Sequence, residues 1–341
     1  MRSSIGGNFQ TSQSPCVYPV STMRPRPRLF LRRSWPAVTA GAALLDFAGA
    51  NGEADLAHDY GYFAWYELIT TDVAAAATFY RDVIGWETQE ASTPQFPYVL
   101  FMAGQDQAAG LMALPEEGRK MGAMPRWMGY VGVRDTHAAA DQIKHLGGAV
   151  YVPPTDTNIG RISVVADAHT STFGLIDSLQ VAPQLPTDSS KPGRIGWHEL
   201  FAADLDAEVA FYCKLFGWQK ADNGNHMADA YVSLSAGGQV IGGAFKKPPK
   251  GSPPFWLFYF NVDDLDAAAE RVRAGGGQTS YNDEELPGGL SVAHCVDPQG
   301  ASFALQGKKG HAPKMGWSTE WEGFSSRGQL VAPKPQRKSE N

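Results

Sequence analysis

A tryptophan and a glutamate separated by one residue occur twice in the chain, each time shortly before an aspartate. Trp65 and Glu67 precede Asp72 in the stretch WYEL, and Trp197 and Glu199 recur 132 positions later in WHEL. Residues two apart on a β-strand point to the same face, so each indole would stand beside its carboxylate. An indole can stack on a flat or cationic ligand, and a carboxylate in apolar surroundings can take up a proton. The pairs therefore predict two equivalent ligand sites or proton-transfer sites.

The two carboxylates have three candidate roles. Glu67 and Glu199 could contact a ligand, act as general bases with a raised pKa, or lie near a solvated rim beside an arginine. We predict these two as the catalytic candidates. His198 alternates with Glu199 along the same strand, so we expect it on the opposite face as a buried, hydrogen-bonded core histidine. The predicted ligand-binding residues are the matching aromatic pairs Trp65 with Trp197 and Tyr98 with Tyr231, together with Phe201, which shares a strand face with Trp197 and Glu199.

The repetition extends beyond these pairs. Phe79-Tyr80 recurs as Phe211-Tyr212 and Gly85-Trp86 as Gly217-Trp218, all with the offset of 132. Self-similarity at a fixed offset indicates duplicated structural units. We therefore predict five segments: a disordered or targeting extension (1–57), a first domain (59–180), a linker (181–191), a second domain (192–307) and a tail (308–341).

Each unit has the pattern of two βαβββ motifs. The stretch FAWYELIT alternates as a strand, Asp72 is a plausible helix N-cap, and Gly85 is a helix stop. Val73, Ala76, Ala77, Tyr80, Val83 and Ile84 fall on one face of a 3.6-residue period. A strand, a helix and further strands then follow again before the linker. The predicted fold class is α+β, with curled and mainly antiparallel sheets that each form a cup.

Three stretches of the second unit point to a known family. These are DLDAEVAFYCKLFGW, then VDDLDAA before a glycine run, and DPQGASFAL. They resemble the vicinal-oxygen-chelate superfamily of glyoxalases, bleomycin resistance proteins and dioxygenases, and in particular its tandem two-domain bacterial members. The resemblance implies that paired βαβββ motifs form each cup. It also implies, for metal-dependent members, ligands on the first and last strands of the motifs.

The positions implied for metal ligands hold residues that do not bind divalent ions. Strands 110–114 and 242–245, which should supply the remaining ligands, contain no carboxylate or imidazole. Hard and borderline divalent ions need oxygen, imidazole or thiolate donors. We therefore predict no metal and no other cofactor. The implied ligand positions are occupied by Trp65, Met128, Gly174, Trp197, Leu257 and Ala304.

These observations favour a protein that binds a small organic molecule in an apolar cup. One alternative is a lyase, isomerase or dioxygenase-type enzyme of the superfamily that uses Glu67 or Glu199 as base. The other is a non-catalytic structural or interaction module whose cups are filled by its own side chains.

Composition restricts partners and location. Residues 56–307 carry 16 basic and 29 acidic side chains, which argues against a nucleic-acid partner. Three cysteines form no disulfide framework, and no apolar run is long enough to span a bilayer. We expect a cytoplasmic protein; the alternative is export through a twin-arginine-like signal around RPRPRLFLRRSW. Four motifs in one chain can pair internally, so a monomer or a homodimer is expected.

Overall fold

The computed structural model describes residues 60–94, 96–120, 122–181, 190–221, 231–247, 253–281 and 289–310. The predicted extension, most of the linker and nearly all of the tail lie outside these ranges. The first repeat has eight strands and three helices: β1 (Phe63–Thr70), α1 (Val73–Ile84), β2 (Glu87–Glu90), β3 (Val99–Ala103), β4 (Asp106–Ala113), α2 (Glu116–Lys120), β5 (Arg126–Gly132), α3 (Thr136–His145), β6 (Ala149–Thr157), β7 (Gly160–Ala166) and β8 (Thr172–Asp177).

The second repeat follows the same order of elements, without a counterpart of α2 among its described residues. Its elements are β9 (Ile195–Ala202), α4 (Leu205–Phe216), β10 (Gln219–Ala221), β11 (Tyr231–Ala236), β12 (Gln239–Lys246), β13 (Phe255–Asn261), α5 (Leu265–Ala274), β14 (Gln278–Tyr281), β15 (Leu290–Val296) and β16 (Ser302–Lys308). Both repeats therefore contain the two predicted βαβββ motifs.

Each repeat forms one eight-stranded sheet. The strand orders are β2-β3-β4-β1-β5-β8-β7-β6 and β10-β11-β12-β9-β13-β16-β15-β14, which are equivalent. In the first sheet only β1 with β4 and β5 with β8 run parallel, and every other pair is antiparallel. This confirms the predicted α+β class with mainly antiparallel sheets. The first strands of the two motifs, β1 and β5, lie side by side at the sheet centre.

The structure confirms the predicted N-cap and the predicted end of helix α1. The Asp72 side chain accepts a hydrogen bond from the Ala75 N–H, and Gly85 ends α1 in the left-handed conformation with φ of 89°. Asp204 and Gly217 do the same for α4. Part of the predicted apolar face of α1 is buried. Phe79, which lies outside that face, is buried as well, because this helix packs against the other repeat as well as its own sheet.

Helices α1, α3, α4 and α5 and one face of each sheet share a single core between the repeats. Reciprocal hydrogen bonds join the two halves. Trp86 Nε1 donates to the Gly193 carbonyl at 2.8 Å, and the equivalent Trp218 donates to the Gly61 carbonyl. The opposite sheet faces, which carry the Trp–Glu pairs, form separate clusters. We call the face with Trp65, Glu67, Tyr98, Met128 and Tyr130 the first cup, and the face with Trp197, Glu199, Tyr231, Leu257 and Tyr259 the second cup.

His198 lies in the shared core, as predicted from strand alternation. Its Nδ1 donates to the Ile241 carbonyl, which leaves Nε2 as an acceptor for the Tyr66 hydroxyl at 2.5 Å. Burial lowers the pKa of His198 to about 4, consistent with this neutral form. Tyr66 and His198 occupy equivalent positions of the two repeats, so this bond crosses their interface. Within the described residues, no helix has the length and apolarity needed to cross a membrane.

Candidate functional site

The first cup holds a buried carboxylate between two tyrosines. Glu67 is 2 % exposed and accepts hydrogen bonds from the Tyr98 hydroxyl at 2.6 Å and from the Tyr130 hydroxyl at 2.5 Å. Trp65 Nε1 donates in turn to the Tyr98 hydroxyl at 2.9 Å. Burial raises the pKa of Glu67, and the two tyrosine hydrogen bonds oppose that rise. Both carboxylate oxygens are thus engaged by the protein itself.

The register of the sheet brings these groups together. Glu67 on β1 lies beside Gly110 on β4 and Met128 on β5, and Trp65 lies beside Tyr130. A Cβ atom at Gly110 would lie 1.8 Å from the Tyr98 hydroxyl. Glycine is required there because the tyrosine occupies the space that any side chain would take.

The donor groups in the first cup do not fit the divalent ion that the fold family implies. A Cβ at Gly174, another implied ligand position, would lie 2.1 Å from the Tyr130 ring. Tyrosine rings therefore fill the positions where ligand side chains would stand. In the described ranges, no three His, Cys, Asp or Glu side chains are grouped so that they could hold a metal. Glu67 remains as a single carboxylate, which is too few donors for such an ion.

The second cup repeats the carboxylate–tyrosine arrangement with a change. Glu199 is 4 % exposed and accepts a hydrogen bond from the Tyr259 hydroxyl at 2.5 Å. His294 Nε2 lies 3.3 Å from the same hydroxyl, where the first repeat has Val164. Burial raises the pKa of Glu199 to about 7, and hydrogen bonding from Tyr259 and Tyr231 opposes that rise.

The two cups differ at Tyr231. Its hydroxyl is buried and close enough to Glu199 and Trp197 for hydrogen bonding to influence the pKa of Tyr231, but among the described residues no group meets the full geometry of a hydrogen bond with it. The equivalent Tyr98 hydroxyl both donates to Glu67 and accepts from Trp65. A buried hydroxyl that is poorly hydrogen-bonded is costly. The Tyr231 hydroxyl is thus less well satisfied than its counterpart in the first cup.

The predicted site residues fall into two groups by exposure. Trp65 and Tyr98 are buried, whereas Trp197, Tyr231 and Phe201 keep part of their surface exposed. All five lie in a cup, as expected from their strand positions. The alternative of a solvated rim for Glu67 and Glu199 is wrong, because both carboxylates are buried and bonded to tyrosines rather than to an arginine.

Tyr130 and Tyr259 are not among the site residues predicted from the sequence. They occupy equivalent positions on β5 and β13, two residues after Met128 and Leu257, and each donates to the cup carboxylate. Their recurrence at matching positions was the available signal. It became meaningful only once the register placed Tyr130 opposite Trp65 and Tyr259 opposite Trp197.

A family model described as the glyoxalase, bleomycin resistance protein and dioxygenase superfamily matches the chain twice, over residues 62–173 and 194–305. The chain belongs to this superfamily. Among its relatives, the "Putative glyoxylase CFP32" of Mycobacterium bovis and of Mycobacterium tuberculosis is 32% identical over 244 residues, which is 71% of this chain and 92% of the relative.

Two further proteins show the range of similarity. The anthracycline biosynthesis protein DnrV of Streptomyces peucetius is 30% identical over 128 residues, 33% of this chain and 46% of that protein. The Mn(II)-bound glyoxalase from Novosphingobium aromaticivorans has a TM-score of 0.52 at 15% identity, covering 74% of this chain and 83% of its own. The second likeness concerns the fold alone.

Proposed function

We propose that this superfamily member binds a small organic molecule in the second cup, without a metal ion. The observation that carries the proposal is the partial exposure of Trp197, Phe201 and Tyr231 around the buried Glu199, at positions whose first-cup counterparts Trp65, Ile69 and Tyr98 are buried. Buried polar groups are normally well hydrogen-bonded, and the Tyr231 hydroxyl meets full hydrogen-bond geometry with no described group, so it suits a ligand that completes its bonding. Ligand sites typically combine apolar walls with a few such polar groups.

Aromatic side chains supply the wall. Phe201 and Phe255 stack with ring centroids 4.8 Å apart and planes 11° from parallel, and Phe245 meets Phe201 edge-on at 5.7 Å. Phe201 lies two residues from Glu199 on the same strand face, so the rings border the carboxylate. With Trp197 they form a surface suited to a flat ring.

The first cup has a structural role in this proposal. Trp65, Tyr98 and Tyr130 are buried, and the two tyrosines fill the space around Glu67. The alternative of a cup filled by its own side chains therefore applies to the first repeat, and ligand binding to the second. Glu67, also a predicted base, already uses both oxygens within the protein.

Planar aromatic compounds with hydroxyl and carbonyl groups are the first ligands to test. The name of the Streptomyces relative refers to anthracycline biosynthesis, and such oxygens could bond to Tyr231 and Glu199. Alizarin, a dihydroxyanthraquinone, is a suitable probe. We expect it to quench tryptophan fluorescence saturably, and the change Tyr231→Phe to weaken binding about fivefold, for the loss of about 1 kcal/mol of hydrogen bonding.

A matched control is available in the first cup. Tyr98→Phe removes the equivalent hydroxyl and should leave the affinity for alizarin unchanged, whereas Trp197→Ala should weaken it. Equal affinity in all three variants would place the probe outside the second cup.

Elemental analysis of protein purified without chelator tests the proposal that binding needs no metal ion. Stoichiometric manganese, iron, nickel or zinc would overturn metal independence.

A second candidate function is metal-independent proton transfer, as in a lyase or isomerase. The observation in its favour is the pKa of Glu199 at about 7, which suits a general base at neutral pH. Glu199→Gln should then abolish turnover of a bound substrate while changing its affinity little. An unchanged rate in this variant would exclude the role.

A further inference from the structure

Arg126 lies on the cup face of β5 and has no hydrogen-bond or ion-pair partner among the described residues. It pairs with Ile69 of β1 and shares its face with Met128 and Tyr130. The Nε atom is buried and has no hydrogen-bond partner. Within the ranges that the structure describes, the guanidinium makes neither a hydrogen bond nor a salt bridge. Buried charges in proteins are normally paired, so this arrangement needs an explanation.

The fold itself does not require an arginine at this position. The equivalent residue of the second repeat is Phe255, which stacks on Phe201, the counterpart of Ile69. The same corner of the two cups is therefore aromatic in one repeat and cationic in the other. Burial lowers the pKa of Arg126, although the guanidinium of arginine stays charged at neutral pH. The half-buried charge of Arg126 therefore costs folding free energy that an aromatic ring at this position would not cost.

Apolar side chains near Arg126 remain exposed. Met124, two residues before it, is 67% exposed, and Tyr151 on β6, close enough to influence the guanidinium electrostatically, is 53% exposed. Val152 beside Tyr151 is 37% exposed. Exposed apolar groups near a charged group suit a ligand with an apolar body and an oppositely charged end.

We propose that Arg126 binds the carboxylate of an organic acid with an apolar body, at the mouth of the first cup. The planar guanidinium presents paired N–H donors that match a carboxylate, and the ion pair gains strength because Arg126 is half-buried. The ligand's body would lie against Met124 and Tyr151. This site lies in the first repeat and is independent of the binding proposed for the second cup.

Three probes separate charge from apolar contact. Benzoate has both features, benzamide keeps the ring without the charge, and inorganic phosphate keeps the charge without the ring. We expect benzoate to raise the melting temperature saturably and to bind at least tenfold more tightly than the other two. Equal binding of phosphate would overturn the role of the apolar groups, and equal binding of benzamide would overturn the role of the charge.

The change Arg126→Met keeps an unbranched side chain and removes the charge. We expect it to weaken benzoate binding at least tenfold, and to raise the melting temperature of the free protein because an unpaired cation is gone. Arg119→Met, on the exposed surface of α2, is the matched control and should change neither. Unaltered benzoate binding by Arg126→Met would refute the proposal. A lower melting temperature for ligand-free Arg126→Met than for ligand-free Arg119→Met would also refute it.

A second measurement uses the wild-type protein, so it does not depend on whether a variant folds. Phenylglyoxal modifies accessible arginines, and peptide mass spectrometry reports the rate at each site. Benzoate should slow modification of Arg126 about tenfold and leave that of Arg119 unchanged. Modification of Arg126 at the same rate with and without saturating benzoate would also refute the proposal.

Discussion

Replacing Glu199 by glutamine should make the protein's stability less dependent on pH. Burial raises the pKa of this carboxyl from 4.5 to about 7 in the folded protein. Between these values the folded chain holds a proton that the unfolded chain has lost. The free energy of unfolding therefore falls as the pH rises through this window. At 1.36 kcal/mol per pKa unit, the contribution lost is about 3 kcal/mol.

Glutamine resembles the protonated acid and does not titrate, so Glu199→Gln should not lose this contribution. Urea unfolding followed by tryptophan fluorescence at pH 4.5, 6, 7 and 8 measures the difference. Relative to wild type, the variant should gain about 3 kcal/mol between pH 4.5 and pH 8. Glu87→Gln, at an exposed position of β2, should follow wild type throughout. Parallel curves for wild type and Glu199→Gln would show that the carboxyl is not buried as described.

Two further predictions concern packing and the contact between repeats. Gly110→Ala should destabilise the protein by about 1–3 kcal/mol in urea unfolding, because the new Cβ would overlap the Tyr98 hydroxyl. The control Gly118→Ala, whose Cβ would have no neighbour closer than 3.6 Å, should not destabilise the protein. Equal destabilisation by the two changes would contradict a filled first cup. Tyr66→Phe should cost about 1–3 kcal/mol in the same assay, because the buried His198 Nε2 loses its donor. The control Tyr62→Phe removes a partly buried hydroxyl and should lower the free energy of unfolding by less. A larger loss for Tyr62→Phe than for Tyr66→Phe would refute the assignment of His198 Nε2 as the hydrogen-bond acceptor.

The sequence alone determined the duplicated architecture. Strand alternation, helix periodicity, the aspartate N-caps and the glycine stops are local properties, readable within a few residues. Repetition at a fixed offset then showed that the same set of elements occurs twice. Alternation also placed Trp65 and Glu67 on one face and His198 on the opposite face from Glu199. These assignments needed no contact between distant parts of the chain.

Only the tertiary structure decided what each cup contains. Glu67 meets Tyr98 and Tyr130, which lie 31 and 63 residues away, and the strand register that aligns them depends on the whole sheet. Near-identical motifs therefore gave a filled first cup and a second cup in which Trp197, Phe201 and Tyr231 stay partly exposed. The sequence likewise did not show that Arg126 is half-buried and has no partner in the part of the chain that the structure describes. Charge, burial and hydrogen bonding of a side chain depend on everything packed around it, and most of those neighbours are distant in the chain.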